Sequence, residues 1–339
     1  MSSETTFPVL PRRFSRSLPT LTSTLASLND RLLFAVPKKG RLHTQCLDLL
    51  SGSDIQFHRH NRLDIALVKN LPLALVFLPA ADIPTFVGEG RVDLGITGRD
   101  TVAEHDAKTP GSETTGIEEL LDLEFGKCDL QVQVPEKGDI QTPEQLVGRN
   151  IVTSFTALSE KYFRDLEDGQ NANQSNGEVN GDGPRKLRTN IKFVGGSVEA
   201  ACALGVADGI VDLVESGETM RAAGLKAIAT VVSSTAVLIS SKHPSDPSLV
   251  RLISARIRGV ITAQKYVLCT YNVERASLPK ATTITPGRRA PTVTNLQDEQ
   301  WVAVQAMVER KRIAQAMDQL SEMGATDIIV TKIENTRTV

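Results

Sequence analysis

The stretch GVADGIVDLVESGET (residues 205–219) repeats the pattern of an earlier stretch, GRVDLGITGRD (residues 90–100). In both, a helix ends at a glycine, an aspartate follows after two further residues, and a buried strand then runs into a glycine-containing loop. Two lobes built on the same pattern would face each other across a cleft. A chance similarity between two short stretches is the alternative.

The surrounding sequence extends this pattern to an α/β architecture. Apolar strand segments such as RLLFAVPKKG (residues 31–40) alternate with helical segments up to about residue 240. After that point the pattern changes to a small antiparallel sheet with helices on one face. A length of 339 residues with 40% hydrophobic residues fits two or three domains.

Composition excludes several classes of function. The 38 basic residues nearly balance the 40 acidic ones, so no global charge favours nucleic acid or an anionic membrane surface. No apolar run approaches the roughly 20 residues needed to cross a bilayer. The four cysteines make no CxxC pair and are expected to be reduced thiols, and the five histidines show no metal-ligand spacing.

Two segments are predicted to lie outside the folded core. Residues 1–29 are rich in Ser and Thr and carry three arginines, as a mitochondrial transit peptide also would, but Glu4 and three prolines favour a disordered extension. Residues 168–189 are rich in Asn and Gly, with almost no apolar side chains, which predicts a flexible surface insertion.

The loop ESGET (residues 215–219) has the features of a phosphate-binding site. It joins a strand to a helix start, where free backbone N–H groups and the helix dipole favour an anion. Gly217 allows close approach, and Ser216 and Thr219 offer hydroxyl donors. An ordinary strand-to-helix turn is the alternative. The nearby carboxylates could accept sugar hydroxyls or hold Mg²⁺.

A second candidate anion site is the basic turn PKKGRL (residues 37–42). Cations at a helix N-terminus oppose the helix dipole, so this placement favours binding of polyphosphate over a solvated basic turn. Arg62 and Asp64 are further candidates for the cleft. Asp82 and Asp93 are candidates too, although Asp82 is also explained as a helix N-cap and Asp93 as a strand-edge acid.

Eight motifs in order give the sequence a resemblance to the ATP phosphoribosyltransferase family, in its long single-chain form. They are PKKGRL, RLDIAL, DIPTFVGEGRVDLGITG, LQVQVP, GSVEAACALGVADGIVDLVESGETMRAAGL, TPGRRAPTV, WVAVQAMV and GATDIIV, and they cover roughly residue 30 to the C-terminus. The extension and the insertion depart from the family pattern.

The resemblance implies a fold of class α/β, with two periplasmic-binding-protein-like (type II) catalytic lobes and a C-terminal ACT-like α+β regulatory domain. The implied domains are catalytic lobe I at 30–125, with part of 215–240 returning to it, lobe II at 126–239, and the regulatory domain at 240–339. It also implies a cytoplasmic enzyme that forms homo-oligomers from dimer to hexamer and is inhibited by histidine, bound by residues within 240–339.

The implied reaction joins N1 of ATP to C1 of 5-phosphoribosyl 1-pyrophosphate (PRPP), with release of pyrophosphate and dependence on Mg²⁺. A non-catalytic two-lobed binding module and a purely regulatory ligand sensor are the alternatives. The implied catalytic residues are Glu199 and Asp212, which are also the candidate Mg²⁺ ligands. The PRPP-binding residues are Glu215, Ser216, Gly217, Glu218 and Thr219, and the ATP-binding residues are Lys38, Lys39, Gly40, Arg41, Arg62, Asp82 and Gly98.

Overall fold

The computed structural model describes residues 28, 30–59, 63–113, 115–174 and 186–337. Arg62, nearly all of the predicted N-terminal extension and the middle of the predicted insertion lie outside the described residues.

Strands and helices alternate along most of the described chain. The strands are β1 (Leu32–Pro37), β2 (Ile65–Leu67), β3 (Leu73–Leu78), β4 (Leu94–Gly98), β5 (Ile117–Asp122), β6 (Cys128–Pro135), β7 (Asn150–Thr153), β8 (Asn190–Phe193), β9 (Gly209–Val214), β10 (Leu225–Ser234), β11 (Ala236–Ser241), β12 (Tyr266–Glu274), β13 (Thr292–Asn295), β14 (Trp301–Glu309) and β15 (Thr326–Lys332). The α-helices are α1 (His43–Gly52), α2 (Ile83–Gly88), α3 (Arg99–Lys108), α4 (Thr156–Gln174), α5 (Ala200–Ala203), α6 (Glu218–Ala222), α7 (Pro247–Lys265), α8 (Leu278–Ile284) and α9 (Ile313–Glu322), with short 3₁₀ helices at Pro143–Leu146 and Arg275–Ser277.

Lobe I is built on a six-stranded sheet in the order β2-β3-β1-β4-β11-β5. The central strands β3, β1 and β4 are parallel, with Phe34 beside both Leu75 and Leu94. Helices cover parallel strands on both faces, so these strands need continuous apolar runs such as LLFAVP in β1. The carboxyl ends of β1, β3 and β4 therefore share one edge, where the basic turn and Gly98 lie.

Lobe II is built on a five-stranded sheet in the order β10-β6-β9-β7-β8, in which β9, β7 and β8 are parallel. The alternating segment LQVQVP lies within β6, as predicted. The phosphate-loop candidate follows β9 directly, at the carboxyl edge of this sheet.

The chain passes between the lobes at two places, which we name the crossover segments. The first is residues 123–127, between β5 and β6, and the second is Thr235, between β10 and β11. They lie side by side, because Leu123 N–H donates to the Ala236 carbonyl and Ala236 N–H donates to the Phe125 carbonyl.

The C-terminal domain is an antiparallel sheet in the order β13-β14-β12-β15, with α8 and α9 packed on one face. Helix α7 precedes this sheet and packs elsewhere. Its buried side chains, among them Ile253 and Ile257, belong to the core of lobe I, although the sequence boundary at residue 240 assigned the helix to the third domain. Periodicity identifies an apolar helix face but not the sheet that it covers.

The predicted insertion also differs from the structure. Residues 168–174 form the last turns of α4, while residues 175–185 lie outside the described residues. Glu167 ties this helix to the chain beyond, because its carboxylate accepts the N–H groups of Arg188 and Thr189 and the Thr189 hydroxyl.

The predicted fold class is confirmed as two α/β lobes followed by an α+β domain. Among the described helices, none combines the length and apolar character needed to cross a bilayer.

Candidate functional site

The phosphate-loop candidate adopts the geometry that its sequence predicts. Gly217 has a φ of 72° and precedes the single-turn helix α6, so a residue without a side chain is favoured there. The Ser216 hydroxyl accepts the Glu218 N–H at 3.4 Å, and the Arg221 guanidinium donates to the Ser216 carbonyl at 3.1 Å. Arg221 thus packs against the loop at Ser216 and Gly217 and brings a positive charge to it.

A cavity of about 190 Å³ lies against this loop, lined by Arg41 from lobe I together with residues of lobe II. We name this cavity the phosphate pocket; its lining residues are Arg41, Cys128, Leu213, Val214, Glu215, Ser216, Gly217, Glu218, Thr219 and Met220. All five predicted PRPP-binding residues are therefore together. Arg41 supplies a cation from the opposite lobe, whereas the charged side chains that lobe II adds to the lining are the carboxylates of Glu215 and Glu218.

The position of Arg41 depends on close backbone approach. One guanidinium nitrogen donates to the Gly126 carbonyl in the first crossover segment, and the other lies 3.6 Å from an oxygen of Asp100. A methyl group on Gly98 would lie 3.3 Å from one of these nitrogens, and one on Gly126 would lie 3.0 Å from the other. Gly98, which the sequence predicted to bind ATP, therefore lies next to Arg41, and its lack of a side chain leaves room for the guanidinium.

The two predicted catalytic carboxylates interact electrostatically. Burial raises the pKa of Asp212 to about 6, a hydrogen bond from the Leu213 N–H opposes the rise, and repulsion from Glu199 adds to it. Glu199 immediately precedes the single-turn helix α5. Ser197, two residues before Glu199, has a left-handed backbone with φ of 50°. Each carboxylate is half-buried at the carboxyl edge of lobe II.

The remaining residues of the basic turn do not line the phosphate pocket. Lys38 pairs with Asp64 at 2.8 Å, and this hydrogen bond holds the pKa of Asp64 below its usual range. Lys39 is exposed, and Gly40 has a φ of 88° with open space where a side chain would point. These residues share the carboxyl edge of lobe I with Asp82.

The structure separates the two acids whose role the sequence left open. Asp82 occupies the N-cap position of α2, as predicted, but its side chain makes no capping hydrogen bond to that helix. Asp93 lies at the opposite, amino edge of the sheet, where its carboxylate accepts the N–H groups of Leu33 and Ser245 at 2.8 and 2.6 Å. Asp93 therefore has a structural role and does not line the cleft.

Sequence reasoning missed Asp100, Gly126, Cys128 and Arg221. Arg221 follows Gly217 by four residues, which is the one local signal that the sequence offered. Gly126 lies in the first crossover segment, Cys128 directly follows that segment and lines the pocket, and Asp100 lies against Arg41 without lining the pocket. Within the described ranges, no group of three or more His, Cys, Asp or Glu side chains is arranged to hold a metal ion.

Comparison with known proteins identifies relatives over most of the chain. The family model HisG, described as ATP phosphoribosyltransferase, matches residues 79–259, and the model described as HisG, C-terminal domain, matches residues 263–335. An ATP phosphoribosyltransferase of Yarrowia lipolytica is 63% identical over 311 residues, covering 92% of this chain and 98% of that protein. One from Saccharomyces cerevisiae is 56% identical over 311 residues, covering 91% and 98%.

A solved structure titled as the ATP phosphoribosyl transferase (HisG:HisZ) complex from Thermotoga maritima has a similar fold. It aligns with a TM-score of 0.50 at 20% identity, covering 67% of this chain and 94% of that chain. This likeness concerns the fold alone.

Proposed function

Because the chain belongs to the ATP phosphoribosyltransferase family, we propose that PRPP binds in the phosphate pocket and that ATP approaches from the carboxyl edge of lobe I. The reaction is the first step of histidine biosynthesis. A bond forms between N1 of the adenine and C1 of the ribose, and the bond from C1 to pyrophosphate breaks. Pyrophosphate leaves with the electron pair.

One observation carries the assignment: Arg41 of lobe I lines the same cavity as the loop from Glu215 to Thr219 of lobe II. The loop N–H groups, with the hydroxyls of Ser216 and Thr219, are suited to the 5′-phosphate of PRPP. Arg41 is suited to the phosphates at the other end of the same substrate. The sequence placed Arg41 with ATP, whereas the shared cavity favours a contact with PRPP.

Catalysis at C1 depends on charge that develops in the transition state. Positive charge builds on the ribose as the bond to pyrophosphate lengthens, and negative charge builds on the leaving group. Asp212 and Glu199 are suited to the ribose hydroxyls and to the positive charge, and Arg41 to the negative charge. The adenine nitrogen is already a nucleophile, so the residues mainly position both substrates.

The carboxylate pair also fits a magnesium ion bound together with substrate. Mg²⁺ usually takes one or two carboxylates, with substrate phosphates and waters completing its shell. Asp212 and Glu199 are such a pair, and their mutual repulsion would be relieved by a cation. When bound, the ion would neutralise charge on the pyrophosphate group.

Regulation and assembly form the remaining part of the proposal. The domain that begins near residue 263 has its own sheet and core, which supports a separate regulatory unit. We propose that it binds histidine as a feedback inhibitor and that the chain forms homo-oligomers between dimer and hexamer. We also propose that the enzyme works in the cytoplasm.

The test is pyrophosphate release by the purified chain, measured with ATP, PRPP and Mg²⁺ together and with each one omitted. We expect release only when all three are present, and Arg41→Ala should lower kcat/KM for PRPP at least 10-fold. Arg149→Ala is the matched control, because Arg149 forms an exposed pair with Asp208 away from the pocket. Binding of both substrates without pyrophosphate release would instead support the non-catalytic module.

A further inference from the structure

Asp100 is a buried carboxylate at the junction of the lobes, in the first turn of α3. Its side chain is fully buried, and one oxygen accepts the Ser234 hydroxyl at 2.5 Å. The other oxygen has no hydrogen-bond partner among the described residues. Burial of an unsatisfied carboxylate oxygen is costly, so this arrangement calls for an electrostatic partner.

Arg41 supplies a positive charge beside this carboxylate. One guanidinium nitrogen lies 3.6 Å from Oδ1 of Asp100, the same oxygen that accepts the Ser234 hydroxyl, and this distance is too long for a hydrogen bond but short enough for attraction between the two charges. A methyl group on Gly98 would lie 2.1 Å from the Asp100 oxygen, so the backbone leaves no room for any other side chain there. Gly98 and Gly126 thus form a narrow slot through which Arg41 reaches the phosphate pocket.

We infer that Asp100 is a positioning residue, which fixes the Arg41 guanidinium so that its remaining N–H groups face the phosphate loop. Asp100 does not line the pocket itself, whereas Arg41 does, so Asp100 acts through Arg41. The inference rests on the proposed function of that pocket.

Ser234 connects this carboxylate to lobe II. It is the last residue of β10, adjoins the second crossover segment, and its hydroxyl oxygen also accepts the Asp100 N–H at 2.9 Å. The Asp100 carboxylate is therefore held by Ser234 of lobe II and lies beside Arg41 of lobe I.

The experiment is a double-mutant cycle of Asp100→Asn and Arg41→Ala in the full chain. Asparagine keeps the size of the side chain and an acceptor for Ser234 but removes the charge. We expect Asp100→Asn to lower kcat/KM for PRPP by about 10- to 100-fold, as expected for a misplaced phosphate-binding group. It should weaken binding of inorganic pyrophosphate in calorimetry, and it should have no further effect when added to Arg41→Ala.

Asp93→Asn is the matched control, because it removes another lobe I carboxylate that accepts two hydrogen bonds far from the cleft. It should lower the thermal unfolding temperature without changing pyrophosphate affinity. An Asp100→Asn variant with the same behaviour would show a structural role alone and overturn the inference, as would full additivity with Arg41→Ala.

Failure of the proposed function gives a different result. If Arg41→Ala itself left kcat/KM and pyrophosphate affinity unchanged, both the pocket assignment and the inference would be wrong.

Should Asp100→Asn not fold, Ser234→Ala takes its place in the cycle, since it removes the hydrogen bond to the carboxylate while keeping the charge. A loss of at least 3-fold in kcat/KM that disappears in the Arg41→Ala background is then expected, and no loss contradicts the inference.

Discussion

Replacing Gly217 with alanine should weaken binding of PRPP far more than binding of ATP. Gly217 has a φ of 72°, so alanine at this position strains the folded backbone by about 1–2 kcal/mol. Alanine also reduces the conformational entropy of the unfolded chain, which favours folding by about 0.4–1 kcal/mol and offsets part of this strain. The net loss of stability is roughly 1 kcal/mol. This strain alone does not affect any ligand.

The effect on the ligand comes from the space that the new methyl group occupies. It would lie 2.7 Å from a guanidinium nitrogen of Arg221, so Arg221 must move away from the Ser216 carbonyl. On the proposed binding mode, the methyl group also stands between the phosphate and the loop N–H groups. Losing one hydrogen bond to a charged phosphate costs about 1.5–3 kcal/mol, which corresponds to a rise in Kd of roughly 10- to 150-fold.

Gly224→Ala is the matched control. Gly224 has a φ of 68°, follows the same helix, and has open space where a methyl group would point. Calorimetry with PRPP and with ATP, together with thermal unfolding, separates the two effects. Both variants should unfold at a temperature a few degrees lower, by ~2–4 °C per kcal/mol, but only Gly217→Ala should lose PRPP affinity.

Two results would refute this reasoning. If both variants lost PRPP affinity equally, strain in the lobe and not the approach of the phosphate would be responsible. If Gly217→Ala weakened ATP and PRPP alike, the loop would not be dedicated to one substrate.

Three further predictions follow from charges and packing. Asp212→Asn should abolish most activity yet raise the unfolding temperature at pH 8. The folded pKa of Asp212, about 6, lies above the usual aspartate value, so ionisation of this carboxylate lowers the free energy of unfolding by up to roughly 3 kcal/mol at neutral pH. An unchanged unfolding temperature would contradict this reasoning. Burial raises the pKa of Glu167, but hydrogen bonds from Arg188 and Thr189 have a larger combined effect and leave the pKa below its usual value. Glu167→Gln should therefore lower the free energy of unfolding, measured with urea at pH 7, by about 1–3 kcal/mol. That difference should narrow as the pH falls from the ordinary glutamate pKa through the lowered folded-state pKa, because the wild-type carboxylate then becomes protonated; a difference that did not change with pH would exclude this origin. A chain ending at Lys265 should keep residual activity without histidine inhibition. A chain ending at Ser241 should aggregate, because α7 no longer covers the apolar core of lobe I. Inhibition assays test the first expectation, and analytical ultracentrifugation tests the second.

Much of the candidate site was predictable because it lies within one local segment. The run from β9 through Gly217 to α6 needs a buried strand, a left-handed residue and a helix start, and each has a local sequence signature. The pairing of Asp212 with Glu199 was proposed on the family resemblance, and the interaction between their charges in the structure is consistent with it.

Other residues could not be assigned from their local sequence. Asp82 and Asp93 look alike as acids beside strands, yet one lies at the carboxyl edge of the sheet and the other accepts two backbone N–H groups at the amino edge. Helix α7 shows its apolar face in the sequence, but which sheet it covers depends on contacts with segments some 200 residues away.

The sequence by itself determined the alternation of strands and helices and the strand–glycine–helix geometry of the phosphate-loop candidate, since these follow from periodicities and turn residues within short windows, and its motifs indicated the family. Only the tertiary structure decided that Arg41, Asp100 and Ser234 meet at the entrance to the phosphate pocket. They are brought together because the chain crosses twice between the lobes. No local propensity encodes which side chains those two crossings place within reach of each other.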